Sequence, residues 1–419
     1  MTTIFSPLVL PNGSTLPNRL AKAAMEENLA HTGQVPDRRL FTLYRRWSHG
    51  GAGLVITGNV MVDSRAMTGP GGVVLDEASP LQPFAQWAAA AKSGGSQVWM
   101  QINHPGRQVL ADMPGVCLSP SDVPIDVGRQ SRRFAPPIPM TEADIEQTID
   151  RFITTARRAE HAGFDGVEVH AAHGYLLSQF LSPLTNTRTD RWGGSLENRA
   201  RALIRVVTGI RAAVSPSFAV AVKLNSADFQ RGGFDLSDAA QLVTLLNTLG
   251  VDAVELSGGS YESPAMQGRP QDGRSMAREA YFLEFAKDLL EVATVPLILT
   301  GGIRRREVAQ NVIDTGVAVA GMATALAVAP DLPRQWRATT APDAPALKPI
   351  GWKDKALASS ARLAQVRHQL RRLAADRDPR PDARPELAFV LDQLCRRRAL
   401  ARYSGWLEAR KPRQLPSTS

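Results

Sequence analysis

Short apolar runs recur along the chain, separated by longer stretches in which apolar residues return at helical spacing. The runs are NRLAKAAM (18–25), GLVITG (53–58), QVWMQIN (97–103), DGVEVHA (165–171), AVAVKLN (219–225), DAVELSG (252–258), PLILTGG (296–302) and GVAVAGM (316–322). Most are continuous, not alternating, as parallel strands buried on both faces require. Between them, 141–164, 195–214 and 237–250 read as helices. Thr141 followed three residues later by Asp144 is a helix N-cap signature, and Gly163 suits the stop. Strand and helix alternating eight times over about 300 residues predict an α/β fold, a (β/α)8 TIM barrel. A doubly wound open sheet is the rival, but it needs a glycine-rich phosphate loop after its first strand. The one resembling segment, GGAG (50–53), stands after a helix and before a strand, the reverse of that order.

Two stretches break the rhythm. From His104 to Pro139 the chain carries prolines at 105, 114, 120, 124, 136, 137 and 139. A loop this long is expected to form a lid or wall at the C-terminal ends of the strands. After Pro333, residues 355–376 place Leu357, Ala361, Ala364, Leu370 and Leu373 at helical spacing. The segment DPRPDARP then interrupts, and a second helix follows. The expected organisation is a barrel over 1–335 and a basic helical C-terminal extension over 336–419, packed on the barrel or on a partner subunit. The last residues, KPRQLPSTS, are expected to fray.

Composition narrows the class. Hydrophobic residues make up 43% and charged residues 21%, a soluble globular balance with no run of the roughly 18 apolar residues that a membrane helix needs. Cys117 and Cys395 are too few for a disulfide framework or a four-cysteine metal site. The first residues lack a signal peptide's charged start, so a cytoplasmic location is expected. The net charge of +9 is uneven: from Arg334 onward 19 Lys and Arg face 8 Asp and Glu, while residues 1–333 carry 30 bases and 32 acids. Such a tail can bind nucleic acid, but a solvated arginine-rich helical face is the preferred reading. No membrane or nucleic-acid partner is expected; a small-molecule substrate is, and a homo-oligomer is allowed.

In a barrel, side chains at the C-terminal ends of strands point into the active site. Those ends supply Asn59, Gln101, His104, His170, Lys223 and Asn225, with His173 and Tyr175 just after strand four. Gly301 and Gly302 after strand seven, and Ala323 and Thr324 after strand eight, stand where barrels hold phosphate. The stretch HAAHGYL (170–176) is ambiguous by itself. A metal site needs a third ligand, for which His104 and Glu168 are candidates. Two imidazoles can instead hold a substrate oxygen where charge develops, and a tyrosine can donate a proton. A lysine and a glutamine suit the carbonyl and amide edges of a flat heterocycle.

At these residues the chain resembles the Old Yellow Enzyme family of FMN-dependent ene-reductases and NAD(P)H:flavin oxidoreductases. LPNRLAKAAM, GGAGLVITGNVMV, QINHPGRQ, GFDGVEVHAAHGYLLSQFLSPLTNTRTDRWGGSLENRARALIRVV, VKLNSADFQRGGFD, VELSGGSYESP, LTGGIR and PDLP occur in family order over about residues 5–335. The extension looks like that of one flavin-oxidoreductase branch. The resemblance implies FMN across the barrel mouth, with Gln101 at the pyrimidine edge and Lys223 near N1 and O2. Ala23, Ala24, Met25 and Glu26 would run along the ring, and Asn59 would touch it. His170 and His173 would grip the substrate's activating group and Tyr175 would donate the proton. NADPH or NADH would be the reductant and an electron-poor alkene the acceptor. Quinone, nitro or amine substrates are the alternative, and a non-catalytic ligand- or nucleic-acid-binding barrel is a distant one. Ala23 and Glu26 replace residues that some relatives carry as Ser or Thr and Cys, and Ala323-Thr324 replaces Gly-Arg, with Arg304 a substitute cation. Asn28 stands where some relatives place a substrate-contacting tyrosine.

Overall fold

Eight parallel strands close on themselves in the computed structural model: β1 (Leu20–Lys22), β2 (Leu54–Ile56), β3 (Gln97–Asn103), β4 (Gly166–Ala171), β5 (Ala219–Asn225), β6 (Ala253–Ser257), β7 (Leu297–Leu299) and β8 (Val319–Met322). Each pairs with the next, and β8 returns to β1 with Gly321 opposite Ala21. Each predicted apolar run holds one of these strands. The structure describes residues 2–265, 279–338 and 342–410, so the tail segment expected to fray lies outside the described residues.

The outer layer is built in chain order from α1 (Arg38–His49), α2 (Gln82–Lys92), α3 (Glu142–His161), a short α4 (Leu176–Leu181), α5 (Leu196–Ala213), α6 (Leu236–Leu246), α7 (Leu283–Leu290) and α8 (Arg306–Asp314). The capping box of α3 is present, Thr141 and Asp144 each satisfying the other's backbone N–H. Its buried face, Ile145, Ile149, Phe152, Ala156 and Ala159, repeats at helical spacing, as an amphipathic cover over a sheet requires.

Barrel height sorts the interior by polarity. The floor is apolar: Leu54, Ile56, Trp99, Ala219, Ala221, Ala253, Ile298 and Val319 form one cluster. Leu10 and Leu16 join it from an N-terminal hairpin of Leu8–Val9 and Thr15–Leu16. Because side chains alternate along a strand, Gln101 and Asn103 face the same way as Trp99, and Glu168 and His170 share one face of β4. Register sets Gln101 beside Glu168, and His170 beside Lys223 beside Glu255. The polar layer therefore starts directly above the apolar floor, at the C-terminal end. The long loop folds over it with a short parallel pair, Leu118–Ser119 and Ile138–Pro139, and a turn at Gly128–Arg133.

Beyond β8 come α9 (Thr324–Val328), α10 (Leu332–Arg337), α11 (Lys355–Ala374) and α12 (Pro385–Ala409). The extension is seated on the barrel: α11 lies against α1 and α9, and α12 lies against α11. Ala361, Ala364, Leu370 and Leu373 are buried, while Leu357 in the first turn is exposed. Tyr403 is buried among Met61, Met67, Val74, Val109, Met113 and Cys117, and its hydroxyl donates to the Ser64 carbonyl at 2.8 Å. The reading of a solvated arginine face is corrected in part. Arg396 pairs with Asp112 and Arg410 with Asp76, while Arg46 of α1 reaches Asp376 and Asp378. Ion pairs of both polarities hold the extension against the barrel. Leu387, Val390, Leu391 and Leu394 of α12 remain exposed. No helix among the described residues is long and apolar enough to cross a membrane.

Candidate active site

The turn after β4 brings its three conspicuous residues together. His173 at φ 61° and Gly174 at φ 73° are successive left-handed residues. They fold the chain back so that Tyr175, the N-cap of α4, lies beside His170. Ring centroids stand 4.8 Å apart for His170 and Tyr175 and 5.0 Å for His170 and His173. A non-glycine residue in that conformation is strained by about 1–3 kcal/mol, and the surroundings hold it. The His173 N–H donates to Asn225 Oδ1 at 3.1 Å, its carbonyl accepts from Gln108 at 2.9 Å, and its Nε2 lies 2.7 Å from Ser257 Oγ. His170 Nδ1 accepts from the Ala172 N–H at 3.2 Å, which leaves the proton on Nε2.

Burial, then neighbouring His173 and Lys223, hold His170 well below the ordinary imidazole pKa, and burial followed by Lys223 does the same to His173. Both rings are neutral. Burial, then Tyr261 and Glu26, push Tyr175 well above the ordinary phenol value, so it keeps its proton. Its hydroxyl lies 3.1 Å from that of Tyr261.

Beneath the trio, Gln101 Nε2 donates to Glu168 at 2.5 Å and Lys223 Nζ to Glu255 at 2.6 Å. Glu168 and Glu255 each keep one buried oxygen without a partner. A proton shared between them satisfies both. Burial, reinforced by Glu255, pushes Glu168 well above the ordinary carboxylate value. For Glu255 burial is outweighed by the Lys223 ammonium together with hydrogen bonds to Glu168, Lys223 and Thr300, and the pKa falls; for Lys223 burial is outweighed by the two carboxylates, and the pKa rises. Glu255 was not among the sequence candidates. Its only signal was a lone carboxylate at an inward position of strand six.

After β1 the chain runs with Ala24, Glu26 and Asn28 on its open side and Ala23, Met25 and Glu27 buried. Glu27 anchors it, accepting from the Tyr44 hydroxyl and from the Gly58 N–H at 3.2 Å, with Lys22 Nζ at 3.8 Å. Gly58 is required here, because a Cβ would collide with the Met25 backbone carbonyl as well as the Glu27 carboxylate. Burial lowers Lys22 to about 8. Asn59 follows Gly58 and is buried. Glu26 accepts from Thr68 and pairs with Arg367 of α11 at 2.6 Å. With its amide oxygen toward the guanidinium, Asn28 accepts from Arg367 at 3.0 and 3.1 Å. The extension thus reaches the mouth, which no local sequence signal indicated.

Gly301 (φ 130°) and Gly302 (φ 75°) lie at the end of β7, next to Ala323 and Thr324 after β8. Gly302 and Thr324 are exposed, and the Tyr281 ring packs over Gly302. Arg304 is not free to serve this corner: both it and Arg305 pair with Glu279 at 3.0 Å. Neither candidate third metal ligand stands with the histidine pair. His104 lies toward Arg65, its Nδ1 accepting from the Gly106 N–H, and Glu168 is engaged with Gln101.

The donor set fits a flavin. An amide, an ammonium and two neutral imidazoles share one mouth, and the exposed Gly302 marks the β7 corner. Asn103, on the Gln101 face of β3, is fully buried with neither amide atom bonded, the state of a side chain that a ligand completes.

Residues 3–341 match the NADH:flavin oxidoreductase / NADH oxidase family. The chain belongs to that family. It is a flavin oxidoreductase of the Old Yellow Enzyme type. The NADH-dependent flavin oxidoreductase iliE of Hypocrea jecorina is 38% identical over 351 residues, covering 78% of this chain and 87% of that protein. The nadA protein of Aspergillus parasiticus is 39% identical over 302 residues, 69% and 68% of the two chains. The iliE protein of Neonectria sp. is 38% identical, and there the match spans 46% of the relative's length. Among solved structures, 2-naphthoyl-CoA reductase superposes with a TM-score of 0.71 at 27% identity, over 80% of this chain and 52% of that one. Morphinone reductase in complex with tetrahydroNAD gives 0.68 at 24% identity, over 80% and 91%, a likeness of fold alone.

Proposed function

We propose that this Old Yellow Enzyme relative binds FMN, takes reducing equivalents from NADH or NADPH, and reduces an electron-poor C=C bond such as that of an enone, enal or maleimide. The observation that carries the reading is the trio: two neutral imidazoles and a protonated tyrosine gathered around His170, above Lys223 and Gln101. Gln101 and Lys223 would hold the ring's pyrimidine edge. Ala23, Ala24, Met25, Glu26 and Asn59 would flank the ring, and Gly301, Gly302, Ala323 and Thr324 would receive the phosphate. Bound FMN supplies the two-electron exchange between nicotinamide and acceptor.

The chain's own residues do the rest. His170 and His173 direct N–H groups at the acceptor's oxygen and stabilise the negative charge that gathers there during reduction. A neutral imidazole does this without losing its proton to that oxygen. Tyr175 then protonates the α-carbon. Its raised pKa keeps it loaded across the working pH range, because a group held above its ordinary value gives up its proton only at higher pH. Asn28 borders the substrate side, fixed by Arg367. The long loop shields the site, with Phe134 against Tyr261 at 6.1 Å.

The test separates the two half-reactions. In Tyr175→Phe, flavin reduction by NADH keeps its rate, while reoxidation by cyclohexenone slows by roughly 10²–10⁴-fold, the usual weight of a general acid. Equal slowing of both halves removes Tyr175 from the proton-donor role. Rapid reoxidation by quinones or nitro compounds, but by no alkene, moves the reading to those acceptors.

A further inference from the structure

We propose that Tyr261 forms a dyad with Tyr175 and passes a proton to it in the step in which Tyr175 protonates the acceptor. This rests on Tyr175 as the proton donor. The two hydroxyls lie 3.1 Å apart, and the rings meet edge to face at 6.0 Å and 73°.

Tyr261 sits in the loop after β6, and that loop is pinned. Ser260 N–H donates to the Ser263 carbonyl at 2.9 Å, and Ser260 Oγ accepts from Glu262 N–H at 3.2 Å. Glu262, the next residue, is ion-paired with buried Arg107 at the root of the long loop. Phe134 of that loop packs on the other side of Tyr261.

The chemistry creates the need for such a partner. Two-electron reduction of the β-carbon leaves the alkene's π pair on the α-carbon. That pair takes the Tyr175 proton: the O–H bond breaks, a C–H bond forms, and phenolate charge develops on Tyr175. Tyr175 is only 7% exposed, so bulk water reaches it poorly. The titratable groups around it are few. His170 and His173 of the β4 turn are neutral and poor acids. Lys223 of β5 is engaged with Glu255 of β6. Glu26, after β1, and Arg367, of α11, are ion-paired with each other. Tyr261 holds a proton within hydrogen-bond reach, and its side chain is partly exposed. It donates to the developing phenolate in the same step, breaking its own O–H bond and restoring that of Tyr175, and then takes a proton from solvent. The balance is one alkene, one NADH and one solvent proton giving one alkane and NAD⁺. The Arg367 charge favours the phenolate stage and Glu26 opposes it.

The experiment uses the FMN-loaded Tyr261→Phe variant in anaerobic stopped-flow. Reduction by NADH is the internal reference. Reoxidation by cyclohexenone is expected to slow on the order of ten- to a hundredfold, the weight of one hydrogen bond to a charged group. The dependence of that rate on deuterium fraction is expected to change from curved, with two protons in flight, to linear. Wild-type reoxidation with a wild-type deuterium dependence overturns the proposal, and so does equal slowing of both half-reactions. Tyr175→Phe distinguishes the two layers. If it leaves reoxidation untouched, the donor reading itself fails; if it slows reoxidation and Tyr261→Phe does not, only the dyad falls.

Discussion

His104 shows how burial can fix a residue's chemistry. Its ring is enclosed below the long loop, and burial, then Arg65, lower it to about 3. In the unfolded chain a histidine titrates near ~6.5. Below that pH the unfolded state binds a proton that the folded state refuses, so stability falls as pH falls, by about 1.4 kcal/mol per unit for this one group. The loss continues until the folded group itself titrates, near 3. His104→Gln lacks this liability. Between pH 6.5 and 5 the variant's stability relative to wild type is expected to improve by about 2 kcal/mol in urea unfolding. A gap that does not change with pH would contradict the assignment. The same scale shows what a sequence can reveal about a site. His170, His173 and Tyr175 are legible because one strand end and one turn carry all three. Glu255, Tyr261 and Arg367 are not. They reach the same mouth from β6, its loop and α11, and no local spacing links residues so far apart in the chain.

At the scale of elements, the helices declared themselves by capping and periodicity, as in α3 with Thr141 and Asp144. The docking of α11 and α12 did not, because it depends on which barrel surface is complementary. Two kinds of contact set it: Tyr403 in its apolar socket, and arginines paired with acids on the barrel loops. Tyr403→Ala is expected to cost about 3–5 kcal/mol, the range for emptying a buried aromatic site. Tyr403→Phe should cost about 1 kcal/mol, for the hydrogen bond to Ser64. Chemical denaturation measures both. A loss under 1 kcal/mol for the alanine variant would mean that α12 is not bound to the barrel in solution.

For the whole molecule, the order of apolar runs suffices to read an eight-stranded barrel, since continuous apolar strands alternating with amphipathic helices have few other solutions. What the barrel then imposes is vertical order: an apolar floor, a buried polar layer of Gln101, Glu168, Lys223 and Glu255, and the aromatic trio at the mouth. The basic extension closes one side through Arg367, so the charge that stood out in the sequence is turned inward at that point. We propose this arrangement as the site for a flavin with a substrate above it, and the anaerobic visible spectrum of the FMN-loaded protein tests it most directly. The account predicts a yellow protein that bleaches on adding NADH and recovers its colour on adding one equivalent of cyclohexenone. A protein that takes up no FMN, or whose bleached form no electron-poor alkene restores, would contradict it.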